Sequence, residues 1–119
     1  MLKRNPDIES TIRDSKFLKI EFQFQHYSES EKNNIGNSIK FSFIKFDKEL
    51  IELVLINPQE VYLFEDYQDE YISHIKVSES ENSFEISFDP YDEAIKEINE
   101  ETDNYVFKSE SYTIASKQI

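Results

Sequence analysis

Glu65, Asp66, Asp69 and Glu70 place four carboxylates within six residues, hard oxygen ligands of the kind calcium or magnesium takes. The stretch has neither the spacing nor the glycine of an EF-hand loop, so no dedicated metal site is expected. Paired carboxylates are also what a glycosidase needs, but among 25 acidic residues any one pair carries no information. The two histidines, His26 and His74, have no nucleophile motif beside them, and the chain has no cysteine to serve as nucleophile, thiolate ligand or disulfide partner. A single glycine, Gly36, cannot build the phosphate-cradling loops of P-loop or dinucleotide-binding enzymes. On these residues no catalysis and no cofactor are expected.

Recognition is the chemistry that remains. Residues 1–60 carry nine basic and ten acidic side chains, whereas residues 61–119 carry four and fifteen, so the second half holds net −11 of the chain's −12. Two segments concentrate it. One is the 65–70 stretch with Tyr67 inside it, and the other runs from Asp89 through Asp92, Glu93 and Glu97 to Asp103, with Tyr91 near its start. Concentrated negative charge steers a basic partner into encounter, and tyrosine buries area at little entropic cost, so an acidic rim with tyrosine anchors suits a protein interface. The plainer reading is a solvated face that keeps the protein in solution, with the tyrosines packing at its boundary. Direct binding of nucleic acid is not expected, because phosphate recognition needs clustered Lys and Arg.

These residues need elements to carry them. With 119 residues, 38% of them hydrophobic and including ten Phe and seven Tyr, the chain suits one domain with one sizeable core. Residues 17–25 alternate apolar and polar as a half-buried strand does, and the polar stretch 26–37 reads as a loop. Alternation resumes at Ile39, Phe41 and Phe43 and shifts phase at Ile44, which predicts a bulge there. Residues 50–56 read as a central strand ended by Asn57-Pro58, and residues 61–65, 71–77 and 83–88 as three more. Asp89-Pro90 predicts a helix to Glu101: an N-cap, a proline in the first turn, acids at its positive end and an apolar stripe of Tyr91, Ala94, Ile95 and Ile98. A final strand covers residues 105–114, residues 116–119 read as a frayed tail, and residues 1–16 as a segment that is mobile or forms a helical turn at Ile8 to Arg13.

The expected fold is therefore α+β: an antiparallel, twisted, partly closed sheet of six or seven strands with the 90–101 helix on one face. Its core would hold Leu18, Ile20, Phe22, Phe41, Phe43, Leu53, Leu55, Leu63, Ile75, Phe84, Ile86, Ile95 and Ile98. No apolar run resembles a signal-peptide core or approaches the roughly 20 residues of a membrane span, so a soluble cytoplasmic protein is expected. This profile of size, acidity and architecture is similar to that of small acidic immunity and inhibitor proteins of bacteria and phages, with no motif shared residue by residue.

The expected function is accordingly non-enzymatic. The protein would cover the positively charged site of a basic partner, such as a toxin domain or nuclease, through Glu65, Asp66, Tyr67, Asp69, Glu70, Tyr91, Asp92, Glu93 and Glu97. The alternative, from a different class, is a structural or assembly subunit, such as a phage or secretion-machine component, that self-associates through sheet edges, as a homodimer for instance.

Overall fold

The sequence runs into strands wherever apolar residues alternate, and the computed structural model, which describes residues 2–24, 36–64, 69–94 and 97–119, joins them into one sheet. In chain order the elements are β1 (Lys3–Arg4), α1 (Pro6–Ile12), β2 (Lys16–Gln23), β3 (Ser38–Lys45), β4 (Glu49–Tyr62), β5 (Lys76–Ser80), β6 (Ser83–Asp89) and β7 (Asn104–Gln118). The seven strands lie in the order β1-β5-β6-β7-β4-β3-β2, and every neighbouring pair is antiparallel. The fold is thus mostly sheet, with one short helix among the described residues.

β4 and β7, at 14 and 15 residues, are long enough to serve two sets of neighbours. At one end of the pair β3 and β2 extend the sheet beyond β4; at the other, β6, β5 and β1 extend it beyond β7. The two wings face each other across an aromatic core. Phe88 of β6 lies 4.8 Å from Phe17 of β2 and 5.1 Å from Phe41 of β3, and Phe41 meets Phe107 of β7 edge-to-face at 4.9 Å. The sheet ends are drawn together where Asp14 donates its N–H to Ile72 C=O, Ile72 donates to Ser15 C=O, and Lys16 pairs with Tyr71.

α1 fills the gap these contacts leave. Asn5 accepts the Ile8 N–H as N-cap, Pro6 sits in the first turn, and Ile8 and Ile12 are buried in the core. The N-terminal segment, read as mobile or a helical turn, is thus a helix docked by two isoleucines.

Several expectations are corrected. The helix expected over residues 90–101 does not form among the described residues, which make turns and bends there. The carboxylate of Asp103 accepts the N–H groups of Tyr91 and Asn99, Asp92 accepts that of Ala94, and Asn99 accepts that of Glu101. Side-chain acceptors take the donors that a helix would use, which is the competition that makes Asp and Asn poor interior helix residues. Of the expected stripe only Ile98 is buried; Tyr91 and Ala94 are exposed, and Ile95 lies outside the described residues.

Asn57-Pro58 does not end β4. Asn57 takes a positive φ of 54° and the register to β7 slips between Pro58 and Glu60, a bulge that absorbs the missing proline donor. The strand read at 61–65 is the continuation of β4 to Tyr62. The β3–β4 register is unbroken, and the bulge falls instead in β2, between Phe17 and Lys19. It turns Leu18 out to solvent; Phe22 and Leu63, also expected in the core, are exposed as well. The strand expected at 71–77 starts only at Lys76, and β7 runs on through the expected tail, with Gln118 opposite Glu49. Among the described residues no helix is long and apolar enough to cross a membrane.

Candidate functional site

Cross-strand partners share a face of a sheet, and the registers put Arg4, Ser78, Glu85, Lys108 and Glu60 in one row across β1, β5, β6, β7 and β4. On the opposite face the neighbouring row, Val77, Ile86 and Phe107, belongs to the core. The polar row therefore lies on the outer face of this wing, and residues 90–94 and 97–103 fold over it.

Asp103 holds that cover in place. Besides the N–H groups of Tyr91 and Asn99, it accepts Lys76 Nζ at 3.2 Å, and both side chains of this ion pair are 1% exposed. Lys76 also donates to Glu97 C=O at 2.9 Å. Each buried charge thus has partners, as burial demands.

Between cover and sheet lies a cavity of about 670 Å³, with Ser78, Glu85 and Lys108 on its floor and Leu2, Arg4 and Ile98 among its walls. Lys108 Nζ sits 3.1 Å from Glu100, 3.5 Å from Glu85 and 3.8 Å from Glu60. Burial pushes the Glu85 carboxyl above its ordinary value, against the opposing pull of Lys108. Burial also disfavours charge on Lys108, but Glu100, Glu85 and Glu60 outweigh it and leave the ammonium above its usual range. Glu100 is lowered by its hydrogen bond from Lys108. The arrangement keeps a lysine charged and makes one neighbouring carboxyl easy to protonate. Among the described residues no histidine joins it: His74 is exposed and lies 3.4 Å from Glu93. Among the described residues no group of three or more His, Cys, Asp or Glu is placed to hold a metal ion.

The residues expected to meet a partner separate into three sets. Glu65, Asp66 and Tyr67 lie outside the described residues. Asp69 and Glu70 border a groove beside the start of β2, where Glu70 pairs with Lys16 at 2.9 Å. Tyr91, Asp92, Glu93 and Glu97 belong to the cover over the outer face.

Glu93 does not present its carboxylate outward. It is half-buried, pairs with Arg13, and accepts the Ile75 N–H at 3.2 Å. Burial pushes its carboxyl up, but the Ile75 N–H, Arg13 and His74 outweigh burial and hold it below its ordinary value. Glu93 and Glu70 thereby flank one seam, in which residues 13–16 run against residues 70–75. By contrast, Tyr91, Asp92, Glu97 and Glu101 are exposed on the cover, with Tyr91 at 79%.

The roles of Glu85, Lys108, Lys76 and Asp103 were not legible as a group. One signal pointed to them: residues 61–119 contain only four lysines, so each is a conspicuous partner for the surrounding acids, and among the described residues the fold draws in Lys76 and Lys108. No protein-family model matches the chain, and comparison with curated proteins and with solved structures finds no match.

Proposed function

We propose that the protein is a non-enzymatic binding protein that neutralises a basic protein partner, such as a toxin domain or a nuclease, through the acidic surface of its 90–103 cover. The observation that supports this reading is a division of labour among the acids. Asp103, Glu93 and Glu85 are matched to Lys76, Arg13 and Lys108. Asp92, Glu97 and Glu101 are exposed and have no cation against their side chains among the described residues. Carboxylates left without an internal counter-charge are available to a basic partner, where they stand in the place of phosphates and steer its approach. Tyr91, exposed among them, supplies the aromatic anchor that such interfaces favour. Asp69, at the groove beside β2, is a further exposed carboxylate.

The test reverses charge at the three exposed positions together, Asp92→Lys, Glu97→Lys and Glu101→Lys. Their side chains hold no buried partner, so the fold should persist. Affinity for the partner should fall on the order of tenfold or more, with a weaker dependence on salt than the unaltered protein shows. A folded triple variant that binds with unchanged affinity would contradict this placement of the surface.

A further inference from the structure

A strand at the edge of a sheet offers unpaired N–H and C=O groups, and natural proteins blunt such edges by shortness, charge, proline or bulges. Three edges of this sheet carry those devices. β1 is two residues long and both are cationic; β2 is bulged and carries Lys16, Lys19 and Glu21; the far half of β4, beyond the reach of β3, contains Pro58 and Glu60 at a bulge. The fourth edge has only one charge, Lys117 near its end, and none of the other devices. β6 pairs with β7 only as far as Ser109, and among the described residues no strand covers Ser111–Gln118 on the side away from β4. Ser111, Tyr112, Thr113, Ile114, Ala115 and Ser116 contain no charge and no proline.

The hydrogen bonding of this edge can be assigned. Ile119 donates its N–H to Lys48 C=O across the β4 pair, and the register is continuous from Ser111 to Gln118. Alternation therefore turns the backbone groups of Tyr112, Ile114, Ser116 and Gln118 toward the open side.

We infer that two copies of the chain pair antiparallel through this edge and continue the sheet across a two-fold axis. Charge argues for a second copy as the occupant. Residues 111–118 carry net +1 within a chain of net −12, so the acid excess of the chain is not concentrated on this strip and does little to hold two copies apart there. The edge also complements itself. A two-fold axis perpendicular to a sheet sets residues of the same face opposite each other, so it passes at Thr113 or at Ile114. Either choice sets Ile114 against Ile114 or Tyr112 on the half-buried inner face, and neither sets like charges directly opposite each other. The pairing uses none of the residues assigned to the basic partner and stands independently of that proposal.

The test is the oligomeric state of the full chain by sedimentation over a range of concentrations, with two variants. Ser116→Pro removes one donor from the open side while leaving the groups that face β4. Thr113→Glu places a charge on an exposed position next to its own symmetry mate. The unaltered protein should sediment at twice the chain mass, and both variants, with circular dichroism unchanged, should show at least a tenfold weaker dimer. A protein that stays monomeric at every concentration, or folded variants that dimerise as tightly as the original, would overturn the inference.

Discussion

At Asp103 one carboxylate does three jobs, accepting Tyr91 N–H, Asn99 N–H and the buried ammonium of Lys76. Asp103→Ala removes all of them and leaves Lys76 charged and unpaired in the interior, so urea unfolding should show a loss of about 3–5 kcal/mol. Two glutamates should give opposite pH responses. The Glu85 carboxyl is raised, so the folded state holds its proton more tightly than the unfolded chain does, and stability is withdrawn as pH climbs through the raised value. Glu93 is lowered, so it contributes stability above the unfolded carboxylate range that disappears as pH falls through the lowered value. Between about pH 3 and pH 7, Glu85→Gln should therefore gain on the unaltered protein as pH rises, and Glu93→Gln should lose ground over the same interval; thermal melts across that range check both. At this scale the sequence was informative about residue types and silent about pairing. It showed Glu93 as one acid in an acidic run, because the Arg13 that claims it lies 80 residues away along the chain.

Local patterns named elements well where the period was clean, and failed where side chains competed with the backbone. β2, β3 and β6 follow from alternation, and β4 as far as Ile56 from a run that is apolar on both faces. The helix signature did not transfer as simply. Asn5-Pro6-Asp7 and Asp89-Pro90 carry the same cap and proline, yet only the first opens a helix among the described residues. The difference lies downstream: α1 has Ile8 and Ile12 to bury, whereas the 90–103 segment has Asp92, Asn99 and Asp103 to capture its own N–H groups. Ile12, fully buried at the centre of this docking, should cost about 2–5 kcal/mol when replaced by Ala. Asn5→Ala, which removes the N-cap and the hydrogen bond to Glu79, should cost about 1 kcal/mol. Chemical denaturation measures both. A smaller loss for Ile12→Ala than for Asn5→Ala would mean that α1 does not plug the sheet as its burial indicates.

For the molecule as a whole, the uneven charge is the property most legible from sequence and the one the fold organises furthest. Among the described residues of 61–119, Asp103 pins the cover to the sheet while Asp92, Glu97 and Glu101 face outward with Tyr91. Which acids fall in which set depends on Arg13, Lys76 and Lys108, and on a cover segment whose path local sequence did not reveal. The measurement that tests the central claim most directly is capture of binding proteins from the organism's own lysate at low and high salt, using in parallel the unaltered protein and the Asp92→Lys, Glu97→Lys, Glu101→Lys variant, with mass spectrometry of what is retained. The account predicts one basic protein held at low salt, released at high salt and missing from the variant. Capture of the same protein by both forms, or a bound protein that is acidic and indifferent to salt, would contradict it.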